Sequence, residues 1–191
     1  MDKKVLIVDD VMLNREMLAE ILETNYSVEK AKNGREALDL IEASPASFSL
    51  IMLDLIMPVM DGLAAAKIIN DEGIAPVLLL TAYSQQDIVD KAKEAGVFAY
   101  LVKPVREEQL FPAMEIAASR FAEVQELSAE LDNLKESLET RKLLDRAKGI
   151  LMTAHGMTEQ EAYRKMQQFS MAKRISLKEL AESIIKAANK K

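Results

Sequence analysis

Hydrophobic and polar positions follow two rhythms along this chain. Short unbroken apolar runs occur at VLIV (5–8), FSLIML (48–53), PVLLL (76–80) and AYLV (99–102), with a weaker run near 26–29. Between them, apolar residues recur at helical spacing over roughly 12–23, 34–43, 61–70, 84–95 and from 106 onward. Strand-like runs alternating with helical segments predict five βα units, hence an α/β fold with a parallel sheet covered by helices on both faces. Runs this apolar predict strands buried on both sides, as inner parallel strands are. Asn33-Gly34, Asp61-Gly62, Glu72-Gly73 and Ala95-Gly96 mark the breaks.

From about 106 to 154 little in the sequence would stop a helix. Pro112 is the exception, and it is expected in the first turn or at a kink. Val124, Leu127, Leu131, Leu134 and Leu138 follow 3-4-3-4 spacing, which predicts a coiled-coil-like helix that favours a dimer over packing on its own chain. The tail reads as three helices. The first ends near Ala154, with Gly156 as its stop. Thr158-Glu159-Gln160-Glu161 and Ser176-Leu177-Lys178-Glu179 fit capping boxes that open the second and third. The expected organisation is therefore an α/β domain over 1–118, a helical linker over 119–140 and a three-helix domain over 141–191.

Charge sharpens that division. Residues 1–118 carry 11 Lys/Arg and 20 Asp/Glu, whereas 139–191 carry 12 and 6. An acidic front and a basic tail point to two partners, with nucleic acid the candidate for the basic end. The chain has no cysteine, which excludes a disulfide framework and a thiolate metal site and fits a reducing cytoplasm. The first residues do not read as a signal peptide, and no apolar run approaches the roughly 20 residues that span a bilayer. The expectation is a soluble cytoplasmic protein with no membrane partner. The eleven methionines read as core filler.

The candidate chemistry lies where the runs end. The first leads into Asp9 and Asp10, the third into Asp54, the fourth into Thr81 and the fifth into Lys103-Pro104. A parallel α/β sheet delivers the C-terminal ends of its strands to one edge, where ligands bind. Three carboxylates there repel one another unless a cation neutralises them, and an all-oxygen donor set suits Mg²⁺. Asp54 stands by itself after a long apolar run, so it is the candidate nucleophile toward a phosphoryl group. Such a transfer needs positioning and charge neutralisation more than acid-base chemistry. Lys103 would supply a fixed positive charge and Thr81 a hydroxyl donor.

The segments VLIVDD, MLDLIMPVMDG, LLLTAYS and AYLVKP closely resemble the receiver domain of two-component response regulators. The resemblance implies a flavodoxin-like five-stranded sheet, with Asp54 as phosphoacceptor for a sensor histidine kinase. It implies that Asp10 contacts Mg²⁺ directly, Asp9 through water, and Ile56 through its backbone carbonyl. It also implies switch roles for Thr81, Lys103 and Tyr100, and a cis Lys103–Pro104 bond. The tail resembles the ANTAR module of antitermination regulators in RAKGILM (146–152), HGMTEQEAYRKM (155–166) and SMAKRISLKELAESI (170–184). That likeness implies a three-helix RNA-binding domain, with phosphorylation promoting homodimers that hold paired RNA stem-loops so that a terminator cannot form.

Read at 100° per residue, the first tail helix places Leu144, Ala147, Ile150, Leu151 and Ala154 on one apolar face. Lys142, Arg146, Gly149 and Thr153 lie opposite, and Lys148 borders the two. Arg146, Lys148, Arg164, Lys165, Lys173 and Arg174 are the candidate RNA contacts. A glycine on such a face would let a phosphate backbone or a second helix approach. Tyr163 and Phe169 are expected in the core, and His155 near the helix C-terminus. A DNA-binding output is the alternative, although no recognition helix rich in Arg, Asn and Gln is evident. An aspartyl-phosphate phosphatase usually carries its nucleophile in a DxD arrangement after the first strand, and this chain does not, so no enzyme activity is expected.

Overall fold

The computed structural model describes residues 3–44, 48–82, 92 and 95–189. Five strands form one parallel sheet: β1 (Lys4–Val8), β2 (Ser27–Ala31), β3 (Phe48–Asp54), β4 (Val77–Thr81) and β5 (Ala99–Val102). Their order is β2-β1-β3-β4-β5, the flavodoxin-like arrangement. Helices α1 (Met12–Leu22), α2 (Gly34–Ala43) and α3 (Gly62–Asp71) occupy the expected connections. The helix expected over 84–95 lies almost wholly outside the described residues.

Alternation explains why the inner strands read as continuous apolar runs. Leu6, Val8, Ile51, Leu53, Val77 and Leu79 point to one face and pack with Ala37, Leu38 and Ile41 of α2 and Ala65, Ala66 and Ile69 of α3. Val5, Ile7, Leu50, Met52, Leu78 and Leu80 point to the other, against Leu18, Ala19 and Leu22 of α1 and against Leu110, Ala113, Met114 and Ala117. Each strand residue is thus covered whichever way it faces. The last four of those residues belong to α4, a helix running from Glu107 to His155. Pro112 lies not in its first turn but in its second, where its missing N–H removes one helical hydrogen bond.

By Cα proximity the chain divides into compact units Met1–Glu126 and Leu127–Lys191. In the second unit the end of α4 is joined by α5 (Glu159–Lys173) and α6 (Leu177–Ala188). Both capping boxes are present, closed by Thr158 with Glu161 and by Ser176 with Glu179. Gly156, with φ +63°, stops α4. Ala147, Met166, Leu180, Ala181 and Ile185 form the core, with Leu143, Leu144, Ile150 and Leu151 packed around it. Two expectations fail here. Ala154 is exposed rather than on the buried face, and Tyr163 and Phe169 are exposed, with α5 burying Ala162 and Met166 instead. A helical period identifies a stripe but not how much of it the neighbouring helices cover.

Gly62 is required by close approach. A Cβ there would lie 2.1 Å from the carbonyl oxygen of Asp54, so α3 begins directly against the end of β3. Gly62→Ala must therefore move either α3 or the backbone that carries Asp54. The expected loss is about 1–3 kcal/mol, as for overpacking a tight site, read as a fall in the urea midpoint without a change in slope. Wild-type stability in that variant would contradict the contact.

Candidate functional site

The sheet order reverses at β1, so the C-terminal ends of β1 and β3 are neighbours at the switch point, where such folds bind ligands. Val8 pairs with Leu53 in register, which sets Asp9 beside Asp54. On the far side of β3, β4 ends at Thr81, and the Lys103 amide donates 2.7 Å to the Thr81 carbonyl. The register thus gathers the strand-end residues that the sequence reading singled out. The Lys103–Pro104 bond is cis, as expected.

Lys103 links the site. Its Nζ stands 2.6 Å from Asp9 Oδ2 and 2.9 Å from Asp54 Oδ1. Asp9 is fully buried and held by further donors: the Val11 amide at 2.9 Å and Asn14 Nδ2 at 3.1 and 3.2 Å. Arg15 Nη1 donates to the Asp9 backbone carbonyl. Asn14 and Arg15 were not singled out from the sequence. Their signal is their place in the first turn of α1, directly above the end of β1. Thr81 is buried, Asp54 is 8% exposed and Asp10 faces solvent. Tyr100, on the edge strand β5, is 44% exposed, as is the side chain of Ile56 at 60%. Met60 N donates to Pro58 O across Val59, whose φ of 69° holds the loop after β3 in a tight turn.

Carboxylate oxygens of Asp9, Asp10 and Asp54 lie within 4.8 Å of one another. That all-oxygen set fits a hard divalent cation, which tolerates carboxylate crowding that the bare residues do not. Burial pushes the Asp54 carboxyl above its ordinary value of 3.8. The hydrogen bond and charge of Lys103 pull it down by less, and the charge of Asp9 adds to the rise. Lys103 is affected oppositely. Burial disfavours its charge, but hydrogen bonds to Asp9 and Asp54 together raise it above 10.5.

These directions predict a pH effect on metal-free protein. Asp54 has a folded value above its unfolded one, so its contribution is present below pH 3.8 and lost as pH rises through the folded value. Lys103's contribution is fully present below pH 10.5, so across the neutral range it is constant. Ionised Asp54 therefore opposes folding at neutral pH. In chelator, Asp54→Asn is expected to melt higher than the wild type at pH 7, with the gap closing as pH approaches 3.8. A wild type as stable as the variant at pH 7 would reverse the sign.

The tail presents a second set of groups. Arg146, Arg164, Lys165, Lys173 and Arg174 are exposed, and no ion pair among the described residues engages them. Lys148 differs: its Nζ lies 2.8 Å from Asp145 and 2.6 Å from Glu159, with the side chain 15% exposed. Asp145 first, then Glu159, raises its affinity for a proton. A phosphate would have to displace those carboxylates. Gly149 meets nothing within 4 Å of an added Cβ, so that side of α4 is open. Lys142, Arg146 and Thr153 are exposed on the same helix. His155 is exposed in the last turn of α4.

Residues 5–115 match the response regulator receiver domain and residues 132–185 match the ANTAR domain. The chain is 45% identical over 185 residues to the transcriptional regulatory protein PdtaR of Mycobacterium tuberculosis, covering 96% of this chain and 89% of that one. It is 34% identical over 117 residues to the chemotaxis protein CheY of Halobacterium salinarum, covering 60% and 95%. Among solved structures, Vibrio cholerae CheY4 superposes with a TM-score of 0.57 at 32% identity, covering 61% of this chain and 99% of that chain. No helix of the described residues is long and apolar enough to cross a membrane.

Proposed function

This chain belongs to the response regulators, with a receiver domain followed by an ANTAR domain, and we propose that it is a phosphorylation-switched RNA-binding antiterminator. The observation that carries the first half is Lys103 bridging Asp9 and Asp54 at the sheet edge. The observation that supports the second is the excess positive charge of residues 139–191, where Arg146, Arg164, Lys165, Lys173 and Arg174 are exposed and in no ion pair among the described residues.

In this reading a sensor histidine kinase is the phosphoryl donor. A carboxylate oxygen of Asp54 attacks phosphorus, and the bond from phosphorus to the donor breaks. Asp9, Asp10 and Asp54, with the backbone carbonyl of Ile56, would hold Mg²⁺, which when bound neutralises charge on the phosphoryl oxygens. Lys103 already contacts Asp54, so it meets an incoming phosphoryl oxygen without travelling far. Thr81 donates its hydroxyl to a second oxygen. Tyr100 follows inward from its exposed position on β5, and the altered sheet edge favours a dimer. A phosphate that interacts equally with both states would shift nothing, so the movement of Thr81 and Tyr100 is the step that couples charge to assembly.

The test of the output is competition. The full chain, treated with acetyl phosphate and Mg²⁺, is expected to retain paired RNA stem-loops against an excess of duplex DNA. Its observed association constant should fall steeply with salt, with a log–log slope of about −0.7 to −0.9 per phosphate contacted. Preference for the duplex would establish the DNA-binding alternative. A salt-independent interaction would exclude a phosphate-reading face.

A further inference from the structure

The tail contains a groove that its expected chemistry does not use. It occupies about 390 Å³ and runs between the end of α4, α5 and α6. Its floor is apolar, with Leu151, Met166, Leu180 and Ile184. Phe169 lines it and is 51% exposed, an uncommon state for a phenylalanine beside a core. Lys165, Phe169 and Lys173 stand at i, i+4 and i+8 on α5, hence on one face. Lys165 borders the groove, and the Lys173 ammonium lies 6.0 Å from the Phe169 ring centroid.

The charges choose between occupants. His155, Ser183 and Lys165 supply the polar groups of the groove's lining, which contains no carboxylate. A separate polar hollow near Lys148 is instead lined by carboxylates, those of Glu136, Asp145 and Glu159. A second copy of this basic tail would bring cations toward Lys165 and Lys173. An occupant that is flat, apolar on its faces and flanked by negative charge suits the groove better, and an unstacked base with its two phosphates has that description. RNA loops offer such bases, and aromatic rings accept them by stacking.

We propose that this groove holds one splayed base of an RNA loop, stacked on Phe169, with its flanking phosphates on Lys165 and Lys173. This rests on the reading of the tail as RNA-binding and adds where a loop base is held. The groove rejects paired bases because a stacked duplex presents no free face. His155 and Ser183 are the groups at hand to discriminate among bases by their edges.

The experiment uses the full chain after acetyl phosphate treatment and RNA hairpins of one fixed stem and a randomised loop. Bound hairpins are recovered and remade with 2-aminopurine at each loop position in turn. One position is expected to change fluorescence on binding. Phe169→Leu keeps apolar bulk without a ring and should weaken binding about ten- to hundredfold, the range lost with one stacked base. Its salt slope should stay that of wild type, and Phe169→Tyr should restore affinity. Lys165→Gln and Lys173→Gln should each reduce the salt slope by about one contact. Circular dichroism melts confirm that the variants fold. Hairpin binding that Phe169→Leu leaves intact, with no responsive 2-aminopurine, overturns the groove's role and leaves the RNA-binding reading standing. Failure of wild type to recover any hairpin overturns both. Capture of an apolar peptide in the groove, lost in Phe169→Leu while hairpin affinity is unchanged, assigns the groove to a protein and also overturns the proposal.

Discussion

Asp54→Asn is expected to abolish phosphoryl uptake. In acetyl phosphate and Mg²⁺, mass spectrometry should show one phosphoryl adduct on wild-type protein and none on the variant. The expectation follows from position rather than from acidity. Asp9 is buried under Lys103, Asn14 and the Val11 amide, so its oxygens are committed to donors. Asp10 faces solvent and is in no ion pair among the described residues. Asp54 lies at the end of β3 with a carboxylate oxygen 2.9 Å from Lys103, so its side chain is positioned beside a fixed positive charge. Asparagine preserves size and a contact to Lys103 but removes the anionic oxygen. An adduct of wild-type yield on the variant would mean that another carboxylate accepts the group. In that case light scattering should also be unaffected by the substitution, because the switch would not depend on Asp54.

Much of this site was legible in the sequence because parallel sheets have a simple rule. Each strand delivers the residues at its C-terminal end to the same edge, so Asp9, Asp54, Thr81 and Lys103 belong together by that rule alone. Continuous apolar runs made β1, β3 and β4 plain. β2 was weak because an edge strand needs only one covered face, and its residues are mostly half-buried. The parts that were missed depend on contacts between distant segments. Gly62 reads as a turn residue after Asp61, which indeed caps α3 through the Ala64 amide. Only the fold places the Asp54 carbonyl against it. Lys148 reads as a candidate RNA contact at the border of two helix faces. Asp145, three residues earlier, was a visible partner, but Glu159 reaches it from another helix. Phe169 and Tyr163 read as core because aromatic residues at helical spacing usually are. α5 is narrow in its burial, covering Ala162 and Met166 and leaving both rings exposed.

Leu131→Gln with Leu134→Gln is expected to leave the phosphorylated protein monomeric. Val124, Leu127, Leu131, Leu134 and Leu138 lie along one stripe of α4 and are 46–69% exposed. In water that stripe is unfavourable, since full burial of each such side chain contributes about 1.5–3 kcal/mol relative to exposure. Its 3-4 spacing matches a partner helix with the same repeat, so a second copy is the natural cover. Glutamine keeps helix propensity and adds no charge, which separates lost assembly from repulsion toward RNA. The consequence for RNA follows from geometry. A dimer presents two basic tails at once, and linking two binding modules raises overall affinity for paired stem-loops by about 10²- to 10⁴-fold over either one. The double variant should lose that factor on paired stem-loops while its affinity for a single stem-loop is unchanged. Phosphoryl uptake at Asp54 should also be unchanged, because the sheet edge and the stripe share no residues. Sedimentation would distinguish the cases. A dimer that persists in the double variant would show that the leucines serve another surface, and equal losses on single and paired stem-loops would place them in the RNA contact itself rather than between two copies of the chain.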